Sequence, residues 1–211
     1  MNSVLIAGVE SVAGGNLAAV LQKSFQVSGV TPRSGIQIRN CRIITSAASD
    51  LAGIQQLIRS ERPDWVVFCG ASSRSCWDGA ESLGECYDDA SASIWATASD
   101  QADIAFTMIS SDAVFSGPWM SHGESDDDHF CETPQSAHLR QIEASVLGAC
   151  PDALLVRTNA FGWSPDSATP GFAETLLDDP DSASCFVRHA APILATDLAG
   201  LLLKARQAGL A

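Results

Sequence analysis

Val4-Leu5-Ile6-Ala7-Gly8-Val9-Glu10-Ser11-Val12-Ala13-Gly14-Gly15 decides the fold. Its four leading residues are apolar without alternation, the signature of a strand buried on both faces, and the run stops at a glycine. Leu17, Ala18 and Leu21 then recur at helical spacing, so a buried strand turns directly into a helix.

The same alternation continues along the chain. A short second strand is predicted over Gln26 to Val30, closed by Thr31-Pro32, and a third near Cys41 to Thr45. Asp50 then caps a helix whose Leu51, Ile54, Leu57 and Ile58 share one face, and Pro63 ends it. Trp65-Val66-Val67-Phe68-Cys69 is again apolar throughout, and Ile104 to Ile109 forms another such strand. A weak helical stretch, Leu83 to Ala102, lies between them. After Pro134 a helix is expected to run to about Gly148 with Leu139, Ile142, Val146 and Leu147 inward, followed by a last clear strand at Ala153 to Val156. From Thr158 the pattern loosens under Pro165, Pro170, Pro180 and Pro192 until a final helix, Asp197 to Gln207. Strands and helices that alternate at these lengths need crossover connections. The expected fold is therefore α/β, a Rossmann-like, doubly wound and mostly parallel sheet with helices on both faces. Residues 1–157 read as a dinucleotide-binding type of domain and 158–211 as a reduced lobe packed on it.

Composition narrows the function. The 211 residues carry 12 Lys plus Arg against 25 Asp plus Glu, a formal net charge of −13, which repels a phosphate backbone and argues against nucleic-acid binding. With 46% apolar and 18% charged residues the chain has the make-up of a folded protein. The apolar opening segment lacks the basic flank of a signal peptide and no long apolar run follows, so a cytoplasmic protein without a membrane partner is expected. Seven scattered cysteines, with no Cys-x-x-Cys pair, read as reduced and mostly buried thiols.

The turn after the first strand has the spacing Gly8-x-x-Ser11-x-x-Gly14 and feeds a helix N-terminus, where backbone N–H groups and the helix dipole favour a diphosphate. Ser11 puts a Cβ where a glycine usually admits the ligand, and offers a hydroxyl that could donate to phosphate. A tight βα turn using its glycines only for packing reads the same way. At the end of the second strand, where an acid usually holds the ribose hydroxyls, stands Thr31, with Arg33 two residues on; if a nicotinamide dinucleotide binds, this favours NADP over NAD. Ser72, Ser73 and Ser75 are loop serines on which a phosphate or cofactor edge could rest. The stretch His122 to Glu132 gathers His122, Glu124, Asp126, Asp127, Asp128, His129, Cys131 and Glu132 without a recognised ligand spacing, and reads as a solvated acidic loop, so no metal is expected. No Gly-x-Ser-x-Gly elbow is present.

Four segments carry a family resemblance: Val4 to Gly14; Asp50-Leu51 followed by Arg62-Pro63-Asp64-Trp65-Val66-Val67-Phe68-Cys69-Gly70-Ala71; Ile109-Ser110-Ser111-Asp112-Ala113-Val114-Phe115-Ser116-Gly117; and Leu155-Val156-Arg157-Thr158-Asn159-Ala160-Phe161-Gly162. They resemble the extended short-chain dehydrogenase/reductases, and among them the dTDP-4-dehydrorhamnose reductases, over nearly the whole chain. The third is the most specific, similar to that family's Ser-Thr-Asp-Tyr-Val-Phe-Asp-Gly at a strand end. Glu124 and Asp126, Ala191-Pro192 and Thr196-Asp197-Leu198-Ala199 resemble its acidic loop and substrate lobe.

The resemblance implies a nicotinamide cofactor, NADP or NAD, lying across the strand ends, and hydride transfer to the keto group of a nucleotide-sugar. It assigns cofactor contacts to Gly8, Ser11, Val12, Gly14, Thr31, Arg33, Asp50, Leu51, Cys69, Gly70 and Ala71, and substrate orientation to Ser111. The family's proton donor is a tyrosine four residues before a lysine. Alignment on Pro134 and Glu143 puts Gln135 and Leu139 at those positions. A shift of one residue offers Ser136 and Arg140, which restores a cation but no phenol. Tyr87, the sole tyrosine, lies upstream on a different predicted helix, and His138 is a nearby imidazole that could stand in as a general acid. The expectation is a catalytically degenerate relative with weak dinucleotide binding and a binding or regulatory role, in which Ser111 is a vestigial catalytic residue, and with a protein partner or homo-oligomer open. A working NADP-dependent reductase or epimerase with an altered proton donor is the alternative.

Overall fold

A computed structural model of the chain describes residues 2–73, 89–115, 131–167, 169–178 and 192–210. Seven strands form one sheet: β1 (Ser3–Ala7), β2 (Gln26–Thr31), β3 (Arg42–Thr45), β4 (Trp65–Phe68), β5 (Ala105–Ser111), β6 (Leu154–Phe161) and β7 (Pro192–Leu194), in spatial order β3-β2-β1-β4-β5-β6-β7. Every described pairing is parallel, with Ala7 level with Phe68 and Phe68 level with Met108. The expected α/β sheet is present, and its order reverses between β1 and β4. That switch point is where open parallel sheets of this kind leave a crevice at the carboxyl ends of their strands.

The helices are α1 (Val12–Leu21), α2 (Leu51–Glu61), α3 (Asp89–Asp100), α4 (Pro134–Ala149), α5 (Phe172–Asp178) and α6 (Ala195–Gln207). Strand periodicity divides the core into two layers. Val4, Ile6, Trp65 and Val67 face Leu17 and Leu21 of α1 and Leu198 and Leu202 of α6. Leu5, Val66, Phe68, Phe106 and Met108 face Ile54 and Ile58 of α2, Trp95 of α3, and Ile142 and Val146 of α4. Each fully buried Leu or Ile contributes about 1.5–3 kcal/mol relative to exposure. Caps set the helix starts, since the Ser11, Asp50 and Thr133 side chains accept hydrogen bonds from the N–H groups of Gly14, Gly53 and Ser136. None of the described helices is long and apolar enough to cross a membrane.

Several expectations are corrected. Leu147 does not point inward but is 41% exposed. Strand β6, expected to end at Val156, continues five residues further to Phe161, and β7 and α6 join the same sheet and core. The loosened C-terminal pattern hides β7 and α5, because a three-residue edge strand opening on Pro192 and a seven-residue helix are too short to show a period. Described cysteines 41, 69, 131 and 150 are free thiols; Cys76, Cys86 and Cys185 lie outside the described residues.

One buried ion pair ties the second layer to the sheet. Glu143 of α4 is 3% exposed, accepts three hydrogen bonds from Arg157 of β6 (Nε–Oε1 3.2 Å, Nε–Oε2 3.1 Å, Nη2–Oε2 2.8 Å), and accepts a fourth from the Ser110 hydroxyl of β5 at 2.6 Å. The Arg157 guanidinium stacks over the Phe115 ring, 5.1 Å from its centroid. Glu143→Ala leaves a half-buried guanidinium and the buried Ser110 hydroxyl without their carboxylate and is expected to cost about 3 kcal/mol, read as a lower urea midpoint. Gly8→Ala should be as severe. Gly8 has φ +81° and an added Cβ would fall 2.1 Å from the Cys69 carbonyl oxygen, so about 3 kcal/mol or more of destabilisation is expected by the same measurement.

Candidate functional site

The strand order brings the β1–α1 turn, Thr31, the Cys69–Ala71 corner and Ser111 to one edge of the sheet. Gly8 is the hinge of the turn. Its positive φ and the approach of the Cys69 carbonyl exclude any side chain, and a Cβ on Gly14 would lie 2.3 Å from the Gly8 carbonyl oxygen. The two glycines therefore make a backbone cradle that seats the N-terminus of α1 against β1 and β4. The N–H groups of Val12 and Ala13, in the first turn of α1, have no acceptor within the helix and face the crevice as donors.

Ser11 corrects one expectation. Its hydroxyl donates to the Gly8 carbonyl at 2.8 Å and accepts from the Gly14 N–H at 3.0 Å, so its proton is committed within the turn and not offered to a phosphate. Glu10, which the sequence reading passed over, is the other unusual member. Its Oε2 is buried without a hydrogen-bond partner, and its charge adds to burial in pushing the Cys69 thiol above the usual range. A carboxylate beside an anion-favouring helix end opposes the charge of a diphosphate.

Around this turn the remaining residues are largely satisfied. Thr31 is fully buried and its hydroxyl oxygen accepts from the Arg33 N–H at 3.0 Å. Arg33 reaches outward, with Nη1 2.6 Å from Asp166 Oδ2 and 2.9 Å from Thr169 Oγ1. Asp50 caps α2 through the Gly53 N–H, and Leu51 packs half-buried on the second core layer. Cys69 and Gly70 turn the chain out of β4 into a single 3-10 turn, Ala71–Ser73. Ser72 and Ser73 are not open loop serines: both are buried, donating to the Ile109 and Gly70 carbonyls at 3.0 and 2.8 Å. Ser111 is 2% exposed, and its hydroxyl oxygen accepts from the Ala113 N–H at 3.1 Å.

On α4, Gln135 is exposed and Leu139 is completely buried. The shifted pair is also engaged, because Ser136 donates to the Val114 carbonyl at 3.0 Å and Arg140 donates to the Cys131 carbonyl at 3.0 Å. Tyr87, Ser75 and residues 122–130 lie outside the described residues. Among the described residues no group of three or more His, Cys, Asp or Glu side chains is placed to hold a metal. The site thus has the glycine cradle and helix donors that fit the diphosphate of a dinucleotide. Its α4 face has no described phenol or amine beside Ser111.

A segment that the sequence reading left unassigned completes the edge. After β6 the chain folds back along α1: Asn16 Nδ2 donates to the Trp163 carbonyl at 2.8 Å, and a Cβ on Gly15 would meet Pro165 Cγ at 2.6 Å. Proline punctuation signals this segment as irregular, but nothing local reveals that it returns to Arg33.

The sequence profile of the RmlD substrate binding domain matches residues 1–208. No curated protein matches. Among solved structures, a hypothetical dTDP-4-dehydrorhamnose reductase from Sulfolobus tokodaii superposes with a TM-score of 0.73 at 21% identity, covering 98% of this chain and 72% of that one. UDP-glucose 4-epimerase from Thermotoga maritima, solved with UDP-glucose, gives 0.72 at 17% identity over 97% and 73% of the two chains. The Bordetella bronchiseptica enzyme WbmH, in complex with NAD+, gives 0.70 at 16% identity over 98% and 73%. At these identities the likeness concerns the fold. The profile spans nearly the whole chain, including the Gly8 turn, Ser111 and the Glu143–Arg157 pair, and the chain belongs to the RmlD substrate binding domain family.

Proposed function

We propose that this protein binds a nicotinamide dinucleotide or a nucleotide-sugar across the strand ends and serves, in the cytoplasm, as a binding or regulatory relative of the nucleotide-sugar reductases and epimerases rather than as a working one. The superposed proteins solved with NAD+ and with UDP-glucose support the ligand class. In this reading the N–H groups of Val12 and Ala13 bind the diphosphate over the Gly8–Gly14 cradle. Thr31, Asp50, Leu51 and Cys69–Ala71 border the adenosine half, and residues 158–211 form the reduced substrate lobe.

The observation that carries the loss of chemistry is Leu139. A bound nicotinamide supplies a hydride donor or acceptor, and the protein must supply the proton and a cation to hold the ribose. At the cation's position stands an aliphatic side chain with no exposed surface. It is part of the packing of α4, so it is not a residue waiting to be turned toward a ligand. Ser136, the nearest hydroxyl, is bound to the Val114 carbonyl. Ser111 then positions an oxygen without a partner to protonate it.

Titration calorimetry with NAD, NADP and UDP-glucose on the purified chain is expected to show binding to at least one of them. Reduction of a dTDP-4-keto-sugar with NADH or NADPH should stay well below about 1 s⁻¹. Turnover at or above that rate would establish the alternative, a reductase with another proton donor. Absence of binding to all three would refute the ligand reading. Glu10→Gln removes a negative charge beside the diphosphate and is expected to tighten dinucleotide binding roughly fivefold or more, with little change for an uncharged ligand; no change would place the diphosphate elsewhere.

A further inference from the structure

The acid that usually grips the ribose diol at the end of β2 is missing, and the residue there, Thr31, has its hydroxyl turned to the Arg33 backbone. The structure nevertheless brings a carboxylate to that end of the sheet. It arrives from the far side, on residues 162–167 and 169–171, which leave β6 and return along the first turns of α1. Gly15 permits the return because Pro165 occupies the space a side chain would take. Val12 borders the other end, with its Cγ2 3.1 Å from where a Gly171 Cβ would sit.

This returning segment is held in shape by its own bonds. The Glu174 carboxylate accepts from the N–H groups of Ser164 and Gly171, and the Ser164 hydroxyl accepts from the Asp166 N–H at 3.2 Å. Asp166 is thereby presented with its side chain 14% exposed. Its Oδ2 lies 2.6 Å from Arg33 Nη1, and it accepts from the Thr169 hydroxyl at 3.2 Å.

We infer that Asp166 is the specificity-determining acid of this cleft, delivered by the returning segment in place of the one β2 lacks, and that it selects NAD over NADP. The inference rests on the dinucleotide reading given above. Arg33 alone would favour a 2′-phosphate, because a guanidinium meets that group with two parallel donors. Paired with Asp166 it is already neutralised, and a 2′-phosphate placed there meets a carboxylate as well as a cation. A ribose hydroxyl meets no such conflict. A carboxylate offers only acceptors, about four positions on its two oxygens, which is the complement a ribose diol requires and a phosphate does not. Net charge acts in the same direction, since the NADP phosphate adds an anion to a chain of formal charge −13.

The test is calorimetric titration of NAD and NADP against the full chain and its Asp166→Asn, Asp166→Ser and Arg33→Ala variants, each checked for an unchanged melting profile. The unmodified protein is expected to bind NAD about tenfold more tightly than NADP. Both Asp166 variants should weaken NAD and tighten NADP, each by roughly threefold to tenfold, the range of a partly exposed charge pair. Arg33→Ala breaks the same ion pair but keeps the carboxylate, so it should retain or sharpen the preference for NAD. Equal effects on both dinucleotides in all variants would show that the pair only anchors the segment, and would overturn the inference while leaving the dinucleotide reading intact. Tighter NADP than NAD binding by the unmodified protein would also overturn it. Failure of every form to bind either dinucleotide would refute the dinucleotide reading itself, and the inference with it.

Discussion

The close approach of two backbones, at Gly8 and Cys69, is the constraint on which the molecule is arranged. A carbonyl oxygen 2.1 Å from where a Cβ would stand leaves no residue but glycine, and the positive φ there independently asks for the same residue. The turn that results lets α1 follow β1 with four residues between them and pack back on β1 and β2. Gly14 repeats the condition one turn later against the Gly8 carbonyl. With α1 seated so closely, its first N–H groups open into the switch-point crevice, and Leu17 and Leu21 fall onto the layer they share with α6. Packing and a potential binding surface therefore have a single cause.

On the opposite side of the sheet, one hydrogen-bonded set holds α4 in place. The buried Glu143 carboxylate, hydrogen-bonded by both Ser110 and the half-buried Arg157, links α4, β5 and β6. Removing any one of them exposes the others to a desolvation penalty, so the set persists as a unit. Gln135 and Leu139 sit on the same helix but belong to no such network. Nothing in the packing requires a phenol or an amine at those positions, and an aliphatic side chain at 139 fills the interior at no electrostatic cost. The placement of this helix is thus held through Glu143 and does not depend on a polar group at 135 or 139.

What was legible in the sequence follows this division. Continuous apolar runs such as Val4–Ala7 and Trp65–Phe68 reveal central parallel strands, because burial on both faces leaves a local mark. The cap at Asp50 is equally local. The edge of the sheet was less legible: β7 has three residues, begins with proline, and takes its existence from pairing with β6. The site was read unevenly for a related reason. Gly8 and Gly14 declare themselves by spacing. The commitment of the Ser11 and Ser72 hydroxyls to carbonyls, and the bond between Arg33 and a residue 133 positions later, depend on tertiary proximity that no window of sequence contains.

Electrostatics bears on any ligand this edge accepts. The chain has about twice as many acids as bases, and two of its carboxylates, Glu10 and Asp166, lie beside the crevice itself. Long-range attraction cannot gather an anionic ligand under these conditions, since the field of the protein has the wrong sign. Short-range donors must do so, and those are backbone N–H groups at the start of α1, whose number is set by helix geometry and not by side-chain identity. A diphosphate held this way is recognised by shape and by closely aimed dipoles. Discrimination among ligands then falls to the charged groups at its ends, where the carboxylate at 166 and the guanidinium at 33 sit within 2.6 Å of each other.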